Sequence, residues 1–248
     1  MTITTEEELE ALRRIGQIVA RTLTSMVAAC RPGMTTAELD ALGRALLDEA
    51  GARSAPEVMY DFPGATCISI WPDVAHGIPG ERVFKDGDLV NIDVSAELGG
   101  YYSDTGASFV VGEAGEAHAK LCRDGRRAMW TGIKAVKAGG RLNAIGERIQ
   151  AFADRNRYTL IRNLSSHGIG RSLHEEPGEI ATWAEPGDPR VIGEGSVFTI
   201  EPFLSRGSEW ACEAGDGWTL RAEGDFPTVQ YEHTLVATRR GAVILTQP

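Results

Sequence analysis

The feature that most constrains this chain is an order of elements that occurs twice: two helical segments, then a set of β-like runs. Thr5 and Glu8 form a capping box, in which each side chain can satisfy the other residue's free backbone N–H. Leu9, Leu12, Ile15, Val19, Leu23 and Val27 then recur at three- and four-residue spacing, and the helix is expected to stop near Arg31-Pro32-Gly33. Thr35 and Glu38 repeat the capping box before Leu39, Leu42, Leu46 and Leu47, with Gly51 as the stop. Cys67 to Ile70 reads as a strand, and Leu89 to Val94 with Tyr101 to Val111 reads as a hairpin around Leu98-Gly99-Gly100. The order then starts again. Glu116 to Lys137, ending at Gly139-Gly140, and Leu142 to Ala153 are helical in pattern, and β-like runs follow at Thr159 to Leu164, Val197 to Phe203 and Val229 to Ala237. Gly33 and Asp93 in the first part stand about as far apart as Gly140 and Glu201 in the second, so each part carries an acidic strand residue at a comparable place. The expectation is one domain over 1–248, of α+β class, with related halves near 1–112 and 113–248. The Gly- and Pro-containing segment 177–194 reads as a surface loop.

Composition narrows the partners. With 25 basic against 35 acidic residues the formal charge is −10, which argues against a general attraction to nucleic acid. Arg123, Arg126 and Arg127 form a local basic strip, best read as a solvated helix face. No run approaches the roughly 20 apolar residues that span a bilayer, and the acidic segment 1–10 lacks the basic-then-apolar pattern of an export signal. A cytoplasmic location without a membrane partner is therefore expected. Cys30, Cys67, Cys122 and Cys212 form no CxxC pair and fit a reducing compartment.

Four acidic residues sit where strands would not ordinarily hold them. Asp93 ends the apolar run 89–92, and Asp104 lies on the returning strand. A hairpin centred on Leu98/Gly99 puts these carboxylates directly opposite one another; one centred on Gly99/Gly100 leaves them two residues out of register. Both arrangements keep them close, and like charges facing each other on a sheet are destabilising, more so away from water. Glu201 interrupts Thr199-Ile200-Glu201-Pro202, and Glu232 falls on the polar side of the alternation 229–235. Alternation alone would turn Glu232 to solvent; four strand carboxylates together favour a shared site. His167, between Ser166 and Gly168, adds an imidazole. One imidazole with four carboxylates balances two divalent ions, and mixed nitrogen and oxygen ligation is compatible with manganese, iron, cobalt or zinc.

Several segments together resemble the type I methionine aminopeptidases: Ala75-His76-Gly77-Ile78-Pro79, Asn91-Ile92-Asp93-Val94, Ser103-Asp104-Thr105, Ser166-His167-Gly168-Ile169-Gly170-Arg171, His174-Glu175-Glu176-Pro177, Thr199-Ile200-Glu201-Pro202 and Gln230-Tyr231-Glu232-His233-Thr234. They run in order over nearly the whole chain. The resemblance implies the pita-bread fold, two pseudo-symmetric helix-helix-strand halves around a central antiparallel sheet. It also implies a dinuclear site held by Asp93, Asp104, His167, Glu201 and Glu232, with Asp104 and Glu232 bridging. Water activated by the metals would attack the carbonyl of the first residue while Glu201 shuttles protons. His174 would stabilise charge on the carbonyl oxygen, and His76 would contact the scissile amide. The family's pocket for the methionine side chain maps onto Met59, Phe62, Cys67, Leu173 and Trp218. Met59 and Leu173 stand where the family commonly has aromatic residues, and Trp71-Pro72-Asp73 stands where it commonly has Asn-Glu, departures that bear on side-chain preference. The implied activity is removal of initiator methionine before a small second residue, from nascent or short peptides at the ribosome exit, by a monomer. The alternatives are a pita-bread peptidase of other specificity, such as Xaa-Pro, and a non-catalytic binding relative. No GxxxxGK[ST] or GxSxG motif occurs, and Gly168-Ile169-Gly170 lacks the third glycine of a dinucleotide fingerprint.

Overall fold

The computed structural model describes residues 1–247. Its helices are α1 (Glu6–Ala29), α2 (Thr36–Glu49), α3 (Ala55–Tyr60), α4 (Glu116–Ile133) and α5 (Asn143–Asn156). The first-half strands are β1 (Arg53–Ser54), β2 (Cys67–Ile70), β3 (Asp73–Ala75), β4 (Leu89–Leu98) and β5 (Tyr101–Val110). Then come β6 (Thr159–Leu160), β7 (Ser166–Gly168), β8 (Glu175–Ile180), β9 (Val197–Ile200) and β10 (Phe203–Ser205). The last are β11 (Ala211–Glu213), β12 (Leu220–Ala222), β13 (Thr228–Gln230), β14 (His233–Thr238) and β15 (Gly241–Ile244).

Both capping boxes form as expected, and they start α1 and α2. The apolar stripe of α1 (Ile15, Val19, Leu23, Met26) and Leu39 and Leu47 of α2 are buried against Ile68, Ile70, Val90, Ile92 and Val94, while Leu12 packs with Tyr102, Ile169 and Val197. Each such side chain contributes about 1.5–3 kcal/mol of transfer free energy. In the second half, Leu121, Met129 and Ile133 of α4 and Ile145 and Ile149 of α5 pack on Phe198, Ile200, Val229 and Leu235. The helices thus cover one face of each half's strands, leaving the other face for a site. This is the pita-bread architecture, and every named strand pairing in it is antiparallel.

The hairpin register is settled by its turn. Leu98 faces Tyr101, and Gly99 and Gly100 both have positive φ (62° and 83°), the geometry of a two-residue type I′ turn. Asp93 consequently faces Gly106, and Asp104 faces Ser95, the two-residue offset of the alternatives above. The halves are sewn together along β5. Glu232 N–H donates to Gly106 O (2.9 Å), Thr105 Oγ1 to Glu232 O (2.9 Å), and Thr234 Oγ1 to Asp104 O (2.7 Å).

Several expected elements differ in extent. α4 ends at Ile133 rather than Lys137, because Ala135 and Val136 donate to Gly132 and Ile133, tightening the last turn. The run 197–203 is split at Glu201-Pro202 and the run 229–237 at Tyr231-Glu232. Only Thr159–Leu160 of the run 159–164 is a strand. The segment 177–194 is not all loop: its first residues belong to β8, an edge strand in the order β15-β14-β9-β7-β8, where proline removes no needed donor. Arg123, Arg126 and Arg127 are exposed on α4, Arg126 lying over the Tyr231 ring. Among the described residues no helix is long and apolar enough to cross a membrane.

Gly106 marks the seam. A Cβ there would overlap the amide of Gln230, which is held in turn by Asn91 and Glu232. Gly106→Ala is expected to cost about 1–3 kcal/mol, a fall of several degrees in Tm for a chain of this size. Thermal unfolding checks this, and an unshifted Tm would contradict the close approach.

Candidate metal centre

Asp93, Asp104, His167 and Glu201 line a cavity of about 360 Å³ between the halves, and Glu232 brings a carboxylate oxygen close to the ligand atoms of Asp104 and His167. Asp93 comes from β4 and Asp104 from β5; His167 from β7; Glu201 and Glu232 from the two interruptions that follow β9 and β13. The interruptions are what aim the last two. Glu201 N–H donates to Ser166 Oγ (2.9 Å), and Glu232 N–H bonds across to β5, so neither acid takes an ordinary strand position. A register shift at His167/Gly168 turns the imidazole inward, a common use of bulges beside functional sites.

Ligand atoms of Asp104, His167 and Glu232 lie within 4.8 Å of one another, and His167 Nε2 is 3.4 Å from Glu201 Oε1 and 3.8 Å from Asp104 Oδ2. All four of these residues are buried, Glu232 to 1 % exposure, while Asp93 is half-buried. The cavity lining contains no Lys or Arg. Burial, reinforced by the Asp104 charge, raises the pKa of Asp93, Glu201 and Glu232 well above the usual carboxylate range. Burial raises Asp104 to about 6. His167 is pushed down to about 3 by burial and the neighbouring His174.

The donor set fits divalent cations. Asp104 Oδ1 and Glu232 Oε1 are buried with no hydrogen-bond partner among the described residues, an expensive condition for a carboxylate that a cation would relieve. His167 Nδ1 sits 3.0 Å from Gly168 O, an acceptor only. That carbonyl places the proton on Nδ1 and leaves the Nε2 lone pair facing the carboxylates, as a metal ligand requires. Thr199 Oγ1 donates to Glu201 Oε1 (2.9 Å) and Gln230 Nε2 to Glu232 Oε2 (3.1 Å), fixing two acids from behind.

Beside the acids, His76 and His174 open onto the cavity. His76 has φ 52°, a left-handed conformation that a non-glycine residue rarely adopts. Their recessed setting, with His174 adding to the effect at His76, holds both imidazoles below their ordinary pKa and hence neutral at pH 7. The ring of His174 lies 4.1 Å from that of His167, centroid to centroid. The apolar end is walled by Phe62, Cys67, Leu173 and Trp218, with Phe62 and Trp218 edge-to-face at 5.2 Å. Met59 is not brought to this wall. It is 36 % exposed, with its sulfur accepting from the Tyr102 hydroxyl, and the next residue along α3, Tyr60, lines the cavity instead. Six helical residues give too short a periodicity to decide which side chain faces in, so Tyr60 left no signal in the sequence. Asn163, Glu179 and Phe203 also line the cavity and were not foreseen. Asp73 of the departing Trp71-Pro72-Asp73 segment points away from it, bridging Arg82 (2.8 Å) and Arg221 (2.7 Å).

Residues 10–239 match the model of metallopeptidase family M24. The chain is 48 % identical over 248 residues to methionine aminopeptidase 2 of Bacillus subtilis, with all of both chains covered. The crystal structure of methionine aminopeptidase from Rickettsia prowazekii superposes with a TM-score of 0.94 at 34 % identity, again over the whole of both chains. A prolidase from Pyrococcus furiosus shares the fold (TM-score 0.79, 23 % identity); it aligns with the whole of this chain but with 66 % of its own.

The raised carboxylate pKa values give a sign to the metal-free protein's pH dependence. A carboxyl whose folded pKa is about 6 against about 4 unfolded adds stability below pH 4 and loses it as pH rises through 6. Asp104→Asn escapes that loss. In metal-free protein it is expected to gain on the parent chain between pH 4 and 7, and with saturating divalent metal at pH 7 the order should invert. Thermal unfolding with and without chelator measures both, and an order unaffected by metal would refute the assignment of Asp104 to the cage.

Proposed function

The chain belongs to metallopeptidase family M24 and, within it, to the methionine aminopeptidases, and from that premise we propose that it removes the N-terminal methionine of peptides whose second residue is small. The observation that carries the reading is a cage of four carboxylates and one metal-ready imidazole beside a cavity end walled by Phe62, Cys67, Leu173 and Trp218. Asp93, Asp104, His167, Glu201 and Glu232 would hold two divalent ions, the partnerless oxygens of Asp104 and Glu232 marking both acids as ligands. The ions, when bound, supply Lewis-acid polarisation and a nucleophilic water at neutral pH.

The chain's own groups do the rest. Glu201 takes a proton from the attacking water and returns it to the departing amine. His174 donates to the carbonyl oxygen as charge grows there, and His76 holds the scissile amide. Phe62, Cys67, Leu173 and Trp218 surround the substrate's first side chain, with Tyr60 in the place first assigned to Met59. An apolar wall built from aromatic rings, a thiol and a leucine suits a flexible, polarisable thioether. The prolidase-type alternative shares the fold alone, whereas full-length relatives named for methionine removal support this reading. The chain is read as acting as a monomer, with the related halves near 1–112 and 113–248 working as one unit. Initiator methionine as substrate places the work on nascent chains at the ribosome exit in the cytoplasm.

Metal analysis combined with digestion of Met-Ala-Ser, Leu-Ala-Ser and Ala-Pro peptides tests the proposal. Two ions per chain and cleavage of Met-Ala-Ser at least tenfold over Leu-Ala-Ser are expected, with His174→Ala losing on the order of 10² in kcat. Preference for Ala-Pro, or a metal-loaded chain inert to all three, would defeat it.

A further inference from the structure

Tyr60, the residue the sequence did not mark, touches the machinery directly. Its hydroxyl lies 2.6 Å from His174 Nδ1, and the two rings are tilted by 48° with centroids 5.7 Å apart. On the other side, His174 meets the ring of His167. Packing between two rings sets the plane of the imidazole but does not say which nitrogen carries the proton.

A neutral imidazole has one donor and one acceptor nitrogen, and a phenol can fill either role. If Nδ1–H donates to the phenol, Nε2 is left with a lone pair, which would repel a carbonyl oxygen. If the phenol donates to Nδ1, the proton resides on Nε2 and faces the cavity as a donor. Burial raises the Tyr60 pKa above its ordinary value, so the O–H is retained at any working pH. Resting on the role given to His174 above, we propose that Tyr60 is a positioning residue whose O–H···Nδ1 bond fixes His174 as the Nε2–H tautomer. The two stacked imidazoles then carry opposite tautomers, His167 protonated on Nδ1 by the Gly168 carbonyl and His174 on Nε2 by the Tyr60 hydroxyl.

The chain has five histidines, so ¹⁵N-histidine labelling of zinc-loaded protein gives few enough signals to resolve, with His174→Ala identifying the one in question. The expected pattern for His174 is Nε2–H. Tyr60→Phe keeps the ring but removes the hydroxyl, and should convert that pattern to a mixture or to Nδ1–H. On Met-Ala-Ser its kcat should fall about tenfold with KM within about twofold and metal content unchanged. Tyr60→Leu, which removes the ring together with the hydroxyl, should lose at least as much kcat as Tyr60→Phe. A parent chain with His174 as Nδ1–H overturns the proposal. So does a Tyr60→Phe chain with unchanged tautomer or unchanged kcat. The tautomer readout needs no turnover: an inactive parent chain would defeat the proposed function, while an Nε2–H signal lost in Tyr60→Phe would still support the Tyr60 bond.

Discussion

Mutual repulsion among buried carboxylates is the constraint on which the rest of this molecule depends. Three acids and a neutral imidazole line one cavity that has no Lys or Arg in its wall, a fourth acid, Glu232, lies against them, and two carboxylate oxygens have no hydrogen-bond partner among the described residues. Nothing in the surrounding chain neutralises them, so protons or cations must. The fold supplies what such a cage needs on its outside. Asn91 Nδ2 donates to Gln230 Oε1, Gln230 to Glu232, Thr199 to Glu201 and Thr234 to the Asp104 carbonyl, so the acids are aimed by neutral donors rather than by ion pairs. Orientation is fixed while charge is left uncompensated.

Placement of the five groups follows from a small number of backbone decisions. A Gly99-Gly100 turn sets the register that offsets Asp93 from Asp104; a bulge turns His167; strand interruptions deliver Glu201 and Glu232. Two glycines permit the approach. Gly106 admits the Gln230 amide to the seam, and Gly168 lets the backbone carbonyls of Glu175 and Glu176 come close beside His167. The helices contribute nothing to the cage directly. Their packing on the opposite faces holds the strands rigid enough for these local irregularities to persist.

Much of this was legible in the chain. Both capping boxes, the paired helices, the hairpin and the five cage residues could be read from side-chain spacing or from motif resemblance, because each leaves a local mark: Thr…Glu, a 3.6-residue stripe, an acid inside an apolar run. What escaped was set by contacts with no local signature. Helix α3 is too short to show a period, and so Met59 was assigned to a wall that Tyr60 occupies. Strand β8 runs into a Gly/Pro-containing segment that reads as loop, since its pairing partner β7 lies several residues upstream across a bulge. Splits at Glu201-Pro202 and Tyr231-Glu232 were hidden for the opposite reason: the flanking residues alternate well enough to suggest one long strand.

The contact between the rings of His167 and His174 has a consequence for how the site adapts. The imidazole proposed to hold an ion, His167, and the imidazole proposed to meet the substrate, His174, are in ring contact, so they cannot tilt independently. An ion of larger or smaller radius that swings the first ring also re-aims the second. Exchange of one transition metal for another would therefore change more than Lewis acidity: through packing alone it would also shift the neighbouring imidazole.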